Sequence, residues 1–329
     1  MNREFHYYAM YYLCRSAGCD ADESLTIATA SQLVDDCRSP WRIAGREEIE
    51  RDTLTEVTQN YLFWDPDIGA RIYVPFHFLP GGETGAAACI VIPDSNLART
   101  LLIEALRSND PYRIGIACHA YADTWAHQGF SGLLDQRNAF PQQNLVPVVG
   151  HLHAGVMPDN PRLTWKDPRL PASSNIISNT ARCLAAARML YRFLCTWKHR
   201  SFSDEAFVLD PLERIWTGGF PGKTDEQAIA SDYVIYLDVP MYDSDAWLRE
   251  VGAERTAAPS ATADSDRFDP VAWVRSTLRS FALHEPQGVI DARRYEGSRL
   301  QAWNGAARLH RETVHRYLRT KGNPECLHQ

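Results

Sequence analysis

The sequence predicts an all-α protein: a multi-helix globular bundle with long irregular loops. Segments with apolar residues three or four positions apart recur along the chain, which is the periodicity of helices that bury one side. Several stretches between them are rich in proline and polar residues, as loops are. A chain of 329 residues that is 45% hydrophobic and 23% charged is also long and apolar enough to bury a large core.

The first two helices are predicted over residues 5–16 and 22–38. The first segment is apolar on nearly every side, so we expect it to be buried, with Gly18 as its stop signal. The second ends on Asp35 and Asp36. Carboxylates at the C-terminal end of a helix oppose its macrodipole. Two of them suggest a compensating cation, although solvated surface acids are the commoner explanation.

The segment that follows is less regular. Residues 46–60 fit either a polar helix or a charged strand. Residues 71–82 contain Pro75 and Pro80, which argue against a central strand because proline cannot donate a hydrogen bond to a sheet. We interpret this stretch as an irregular loop that carries His77 between two phenylalanines. A histidine in such a loop is more often structural than a ligand.

The central helix is predicted to begin at Pro111, after an amphipathic helix at 96–108. His119, Asp123 and His127 recur every four residues and therefore line one stripe of this helix. Imidazole and carboxylate together suit zinc and other borderline first-row ions. Buried without a metal, each ring nitrogen and carboxylate oxygen would need another partner. The stripe is therefore a candidate metal site.

Two further histidines follow the central helix. His151 and His153 are two positions apart, which in an extended segment directs both side chains to one side. Residues 158–171 look like a long ordered loop rich in proline. Three other histidines follow no ligand spacing and are interpreted as surface residues: His284, His310 and His315.

The rest of the chain is predicted to be helical, with one polar interruption. The predicted helices cover residues 175–197, 204–218, 224–237, 269–283 and 297–320. The interruption is rich in Ala, Thr, Ser, Asp and Glu and is typical of an exposed linker. We therefore divide the chain into a helical metal-binding core at 1–250, a linker at 251–268 and C-terminal helices at 269–329 that pack on the core.

Charge and composition exclude several classes of function. Asp and Glu outnumber Lys and Arg by 41 to 34, and so acidic a protein is a poor binder of nucleic acid, so no stable nucleic-acid complex is expected. No apolar run reaches the ~18 residues of a membrane span, and no apolar signal-peptide core follows Met1. The eight cysteines are scattered without a Cys-x-x-Cys pair, which favours free thiols and a cytoplasmic location.

Several short motifs occur in an order that resembles a known superfamily. They are His6 near the start, Ala-Ser-Gln-Leu-Val-Asp-Asp-Cys-Arg around Asp35, His-Phe at His77, His-x-x-x-Asp at His119, and Gly-His-x-His at 150–153. The order resembles the zinc-dependent phospholipase C and single-strand nuclease superfamily. That resemblance implies an all-helical enzyme with a three-metal cluster that hydrolyses phosphoesters. The phrases around His6, Asp35 and the central helix also resemble a bacterial family defined only as a domain of unknown function.

The resemblance implies a set of metal ligands in which Asp123 can bridge two ions. The implied ligands are His6, Asp35, His77, His119, Asp123, His127 and either His151 or His153. The chain departs from the superfamily at its start, because those enzymes are usually secreted and bind a metal through the amine of an N-terminal Trp, whereas position 1 here is Met. For the carboxylate expected after the last histidine, Asp159 is the nearest candidate.

We therefore expect a metal-dependent hydrolase that holds two or three ions, with zinc expected and iron or manganese as alternatives, and that acts on a small phosphoester. Asp123 is the expected catalytic bridge between ions. Asp36, beside Asp35, is either a proton acceptor for the reaction or a surface acid at a helix end. Two other interpretations stay open: a di-iron or His-Asp-type metalloenzyme (an oxygenase or a phosphohydrolase), and a non-catalytic protein stapled by its metal.

Overall fold

The computed structural model describes residues 1–44, 54–59, 66–82, 85–141, 147–218, 226–255, 286–321 and 323–327. Its α-helices are α1 (Met10–Ser16), α2 (Ala21–Asp36), α3 (Pro66–Ile68), α4 (Asn96–Ser108), α5 (Pro111–Ala126), α6 (Asn179–Trp197), α7 (Glu205–Gly218), α8 (Glu226–Leu237), α9 (Ala246–Glu250), α10 (Ala292–Tyr295) and α11 (Arg299–Lys321). Two π-helical segments are Glu4–Ala9 and Gly69–His77. Short 3-10 turns cover Gly85–Ala87, Gln136–Asn138, Leu152–Ala154 and Pro324–Leu327. The prediction of a mostly helical protein is confirmed.

Two small sheets tie distant parts of the chain together. The strands are β1 (Arg42–Ala44), β2 (Thr164–Lys166), β3 (Ile176–Ser178), β4 (Glu254–Arg255) and β5 (Gly288–Asp291). β5 lies between β1, to which it is parallel, and β4, to which it is antiparallel, with Ile43 opposite Ile290. β2 and β3 form an antiparallel pair with Trp165 opposite Ile177. The first sheet therefore anchors the C-terminal part of the chain beside its N-terminal part.

The central helix α5 begins where the sequence predicts. The Asp110 side chain accepts hydrogen bonds from the backbone N–H groups of Tyr112 and Arg113, at 2.9 and 3.3 Å, and Pro111 occupies the first turn, where a missing N–H is tolerated. Every residue from 114 to 124 is buried. Helices α2, α4, α6 and α11 pack around α5. A helix enclosed in this way carries its polar side chains into the core, where they need partners.

Helix α2 approaches α5 closely at Gly115. A Cβ atom at this position would collide with the backbone oxygen of Ile27 and lie 2.7 Å from the Cβ atom of Ala30. The absence of a side chain therefore allows the two backbones to approach. The same helix pair brings Asp35, near the end of α2, to α5, where its Oδ1 atom lies 3.8 Å from Nε2 of His119.

Residues 69–77 form a π-helix, so the prediction of an irregular loop at 71–82 was wrong for this part. Proline weakens a helix because it lacks an N–H group. Here Pro75 and its neighbours Ile72 and Phe76 are buried, and their packing outweighs the weak local propensity. The helix ends on His77, which is thereby fixed in the core rather than in a loop.

Two histidines assigned to the surface are held inside the protein. His310 is buried and its Nε2 atom donates to the carbonyl of Pro75 at 2.9 Å, while its ring stacks on Phe76. His315 is half-buried and donates to the carbonyl of Ala70 at 2.8 Å. The surface assignment was wrong for both, because the face of α11 that carries these histidines packs against the π-helix at Gly69–His77. His284 lies outside the described residues.

Three further expectations can be compared with the structure. His151 precedes a 3-10 turn at Leu152–Ala154, so the segment is not extended and the argument that His151 and His153 share one side does not apply. The helix predicted from residue 175 begins only at Asn179, because the residues before it pair in β3. Of the segment at 46–60, the structure describes only 54–59, which contains no helix.

The cysteine prediction was wrong for one pair. Cys89 and Cys326, which are 237 residues apart in sequence, form a disulfide. It joins the last described segment to the region that follows the π-helix at Gly69–His77. Six other cysteines are free. Scattered positions gave no sign of the pair because it depends on a tertiary contact. Disulfides are typical of oxidising compartments, so this bond does not favour the predicted cytoplasmic location.

Two remaining expectations concern organisation. The C-terminal helix α11 packs on α5, α4 and the π-helix at Gly69–His77, while the division into a core, a linker and C-terminal helices stays a prediction. The predicted linker is described only up to residue 255, and the helix predicted at 269–283 lies outside the described residues. Among the helices of the described residues, none is both long and apolar enough to cross a membrane.

Candidate metal centre

The structure brings seven of the predicted ligands, together with Asp159, into one region of the core. They come from the N-terminal π-helix, the end of α2, the end of the second π-helix, α5 and its C-cap, and the turns that follow. Within the described residues, three groups of side chains could hold a metal ion, and the first two share His119: His6, Asp35 and His119; His77, His119 and Asp123; and His127, His151 and Asp159. We call Asp35, His77, His119 and Asp123 together the first group, and His127, His151 and Asp159 the second group.

Asp123 lies between two sets of nitrogen atoms. Its Oδ1 atom is 3.1 Å from Nε2 of His6, and its Oδ2 atom is 3.2 Å from Nδ1 of His77 and 3.3 Å from Nε2 of His119. The side chain is only 1% exposed. Each oxygen of one buried carboxylate therefore faces a different set of ligands, as a carboxylate that bridges two ions would.

The first group has the spacing of a tetrahedral metal site. Nδ1 of His77 lies 3.3 Å from Nε2 of His119, and Oδ1 of Asp35 lies 3.8 Å from each of these nitrogens. Tetrahedral zinc with bonds of about 2.0–2.1 Å places its ligand atoms roughly 3.3–3.4 Å apart. Together with Oδ2 of Asp123, these atoms can surround one ion with small adjustments.

The second group is built around Asp159. Nε2 of His127 is 2.9 Å from Oδ1 of Asp159, and Nε2 of His151 is 3.4 Å from Oδ2 of the same carboxylate. The amine of Met1 is 3.2 Å from Oδ1 of Asp159 and also contacts Oδ1 of Asp123. The amine therefore connects the second group to Asp123.

Three backbone carbonyls orient the imidazole rings. Nε2 of His77 is 2.8 Å from the carbonyl of Thr58, Nδ1 of His127 is 2.8 Å from the carbonyl of His77, and Nδ1 of His151 is 2.8 Å from the carbonyl of Gly155. A carbonyl only accepts hydrogen bonds, so each of these ring nitrogens donates. The other nitrogen of each ring then presents its lone pair to the site, as in metal-binding histidines generally.

Two rings lack such an orienting partner. Nδ1 of His6 and Nδ1 of His119 are buried without a hydrogen-bond partner among the described residues. The two rings stack on each other with centroids 3.7 Å apart. Their orientation therefore rests on ring packing and on the contacts of their Nε2 atoms with Asp123.

Burial and charge set the protonation states of the site. Burial lowers the pKa of His6 well below 6.5 and that of His151 to about 4, so both rings are neutral at pH 7. Burial alone would raise the pKa of Asp123, but the Met1 amine and the nearby imidazoles outweigh it and hold that pKa well below its usual range. Burial opposes the charge of the Met1 amine, yet Asp123 and Asp159 raise its pKa to about 11. Neutral imidazoles and an ionised carboxylate are the forms that bind cations.

Two predicted site residues lie outside the three groups. Nδ1 of His153 accepts a hydrogen bond from the backbone N–H of Phe140 at 2.9 Å. Asp36 accepts hydrogen bonds from Tyr242 Oη at 2.5 Å and from Gln32 Nε2 at 3.2 Å. The placement therefore assigns His151 rather than His153 to a group and gives Asp36 other partners.

Reasoning from the residues missed two backbone groups that contact the candidate ligands. The amine of Met1 belongs to the backbone, so no side-chain motif could reveal it, although the superfamily resemblance drew attention to this position. The carbonyl of Thr58 likewise carries no sequence signal. Asp159 was named as the nearest candidate carboxylate, and the structure places it between His127 and His151.

Comparison with known proteins gives a family but no function. A family model described as "Family of unknown function (DUF6765)" matches residues 1–318, a range that includes every residue of the three groups. No curated protein and no solved structure matches the chain. The chemistry of the site therefore has to be derived from its own side chains.

Proposed function

This chain belongs to DUF6765, a family of unknown function, and we therefore propose its activity from its own side chains: it is a metal-dependent hydrolase that acts on a phosphoester. The observation that carries the proposal is the position of Asp123, whose two oxygens face two sets of buried ligands. Paired ions held by one carboxylate are a common device of enzymes that cleave phosphoesters.

The donor atoms favour zinc. The three groups contain imidazole nitrogens and carboxylate oxygens and no sulfur, which suits zinc and, less specifically, iron or manganese. Asp35, His77, His119 and Asp123 would hold one ion, and His127, His151 and Asp159 a second. His6, near Oδ1 of Asp123, would be a ligand of a third position that Asp123 shares with the first ion. The Met1 amine, also beside Oδ1, is protonated because its pKa is raised to about 11, and it would bind an ion only after losing that proton.

The charge of the loaded site favours an anionic substrate. Two divalent ions bring four positive charges, whereas Asp35, Asp123 and Asp159 bring three negative ones, and a third ion would increase the excess. When bound, such ions supply a hydroxide near neutral pH and stabilise charge on a phosphoryl oxygen. The chain's own contribution is to fix the ligands and to exclude water from the buried side of the site.

Exposure indicates where a substrate would approach. The side chains of Asp35, His151 and Asp159 are each about one-fifth exposed, whereas His6, His119 and Asp123 are essentially buried. The partly exposed side chains are therefore Asp35 of the first group and His151 and Asp159 of the second group, and we propose that a phosphoester reaches the ions past these side chains.

The same arrangement supports the resemblance to the zinc-dependent phospholipase C and nuclease superfamily. An early histidine and a helical aspartate whose two oxygens face different ligands lie together, as the resemblance implies, and the amine of Met1 lies beside them where the superfamily has a Trp amine. We propose the corresponding helical metal-binding core at 1–250, with the C-terminal helices docked on it. The packing of α11 on α5 supports this organisation.

Two rival functions account for fewer of the observations. A structural staple is typically closed and four-coordinate, whereas this centre gathers more ligands than that and has one partly exposed face. For a ferritin-like iron site, Glu312 and His315 provide the Glu-x-x-His spacing. His315 instead donates to the carbonyl of Ala70 and lies outside the three groups.

Metal content and a generic phosphoester assay test the proposal. Protein purified without chelator should contain about two or three equivalents of zinc and hydrolyse bis(p-nitrophenyl) phosphate. Iron with a visible absorption band would favour the di-iron alternative. Stoichiometric metal without hydrolysis of phosphomonoesters or diesters would favour the staple.

A further inference from the structure

The most extensive buried polar network beside the centre is built on Glu4. Nε of Arg162 donates to its two carboxylate oxygens at 3.2 and 3.1 Å, and Nη2 donates to Oε2 at 2.9 Å. Tyr233 also donates to Oε2, at 2.8 Å, and receives a hydrogen bond from Trp216 Nε1 at 2.8 Å. An ion pair buried to this degree is a weak source of net stability, because removing two charges from water is costly.

The network joins the N-terminal segment, which carries Met1 and His6, to the segment that carries Asp159 of the second group. Glu4 lies between Met1 and His6, and Arg162 lies three residues after Asp159. The backbone N–H of Asn2 also donates to the carbonyl of Asp159 at 3.1 Å. The N-terminal segment and the 159–162 segment are thus joined twice. One contact is the backbone hydrogen bond between Asn2 and Asp159, and the other is the Glu4–Arg162 ion pair, which we call the fork.

The 159–162 segment is positioned by these contacts and by Asn179 and Thr180 at the start of α6, whose side chains donate to the carbonyls of Asn160 and Pro161 at 2.8 and 2.7 Å. Residues 155–163 form turns and contain no helix or strand, so no regular ladder fixes Asp159. Asp35, His119 and Asp123, by contrast, are placed by helices α2 and α5, and His77 by the end of a π-helix. A change at the fork should therefore move Asp159 and Met1 relative to each other while leaving the first group in place.

We propose that Glu4 and Arg162 are positioning residues that set the separation of Asp159 from the Met1 amine and Asp123, and thereby the affinity of the second metal group. This inference rests on the proposed metal-dependent function. Residues that orient metal ligands without touching the metal typically change metal affinity by about 10–100-fold when they are replaced. The fork acts selectively because only the second group takes a ligand from a turn-rich segment.

Two conservative variants test the proposal on the full chain. Arg162→Lys keeps the charge but cannot form the two-pronged contact, and Glu4→Gln keeps the size but removes the charge. Glu23→Gln is the matched control, because Glu23 accepts a hydrogen bond from Lys198 at 2.7 Å in a half-buried ion pair at the opposite end of α2 from Asp35. His127→Gln removes a ligand of the second group and so identifies the equivalent that belongs to it.

The readout is titration of metal-free protein with Co²⁺ in competition with a chromophoric chelator. In both fork variants, we expect the Co²⁺ equivalent that is lost in His127→Gln to bind at least about tenfold more weakly than in the wild type. The affinities of the other Co²⁺ equivalents should be unchanged. Glu23→Gln should bind every equivalent as the wild type does. Equal weakening of all equivalents, or no weakening, would overturn the positioning role. So would failure of both fork variants to fold when the control folds. A wild-type protein that binds no Co²⁺ or Zn²⁺ would instead overturn the proposed function.

Discussion

The Nδ1 atom of His77 lies 3.3 Å from the Nε2 atom of His119, although the two rings belong to different helices. Nε2 of His77 donates to the carbonyl of Thr58, so in the neutral ring Nδ1 carries a lone pair. Burial opposes protonation of this ring, but Asp123 and Asp35 raise its pKa above 6.5 in the metal-free site. Burial of facing nitrogens beside Asp35 and Asp123 is favourable only when a proton or a cation lies among them. The four predictions that follow start from this arrangement and from the helices that produce it.

Removal of metal should lower the melting temperature. An ion that binds only the folded chain stabilises it by mass action, by about 4 kcal/mol when its free concentration is a thousand times the dissociation constant. Differential scanning calorimetry of protein before and after chelation, with the metal loss verified by elemental analysis, measures the effect. An unchanged melting curve would mean that the His77–His119 pair is satisfied without an ion.

Asp123→Asn should lose at least one equivalent of metal and nearly all hydrolytic activity. The amide keeps the shape of the side chain but removes the charge that both sets of ligands share. Metal analysis and bis(p-nitrophenyl) phosphate hydrolysis provide the measurement.

Asp36→Asn is the matched comparison for Asp123→Asn. Its carboxylate binds Tyr242 and Gln32 and lies outside the three groups, so the variant should keep its metals and lose activity only partly. Full metal content in Asp123→Asn would contradict the bridging role.

His310 should make the stability of the metal-free protein depend on pH. Burial lowers its pKa from 6.5 to about 4, so between these values the unfolded chain binds a proton that the folded chain does not. Stability is therefore present above pH 6.5 and is lost as the pH falls toward 4. We expect His310→Gln to remove about 2 kcal/mol of the stability difference between pH 7 and pH 5, measured by urea unfolding.

The control for this measurement is His199→Gln, because His199 is exposed and has no comparable burial. It should leave the slope of stability against pH as it is in the wild type. If His310→Gln also leaves that slope unchanged, the buried ring is not the group that titrates in this window.

Gly115→Ala should destabilise the protein by about 1–3 kcal/mol, because the added methyl group collides with the backbone oxygen of Ile27 and forces α2 away from α5. Gly305→Ala is the matched control, since nothing lies within 4 Å of a Cβ atom there and alanine favours a helix. It should be neutral or stabilising by up to about 1 kcal/mol. Equal unfolding midpoints in urea for the two variants would show that the helices adapt without cost.

The sequence revealed those parts of the centre that depend on local periodicity. His119 and Asp123 lie on one helix, so their spacing alone predicts that they share a face. Asp35 was suggested by its place at a helix end and by the resemblance. Asp110 and Pro111 marked the start of the central helix because capping is also a local effect.

The remaining parts depend on contacts between distant residues and could not be predicted in this way. The choice between His151 and His153 turns on a short 3-10 turn that ends the two-residue alternation. The π-helix around Pro75 is stabilised by packing against propensity. The pairing of Cys89 with Cys326 depends on a tertiary contact between residues 237 positions apart in sequence. Each is decided by tertiary structure, which local pattern does not contain.

The disulfide divides the covalent chain into a closed ring, residues 89 to 326, and an open arm before it. His6, Asp35 and His77 lie on the arm, whereas the ligands from His119 to Asp159 lie within the ring. The candidate centre thus takes ligands from both the arm and the ring, and an ion bound there would act as a second, reversible crosslink between them. A single backbone cut inside the ring would leave both pieces attached until the disulfide is reduced.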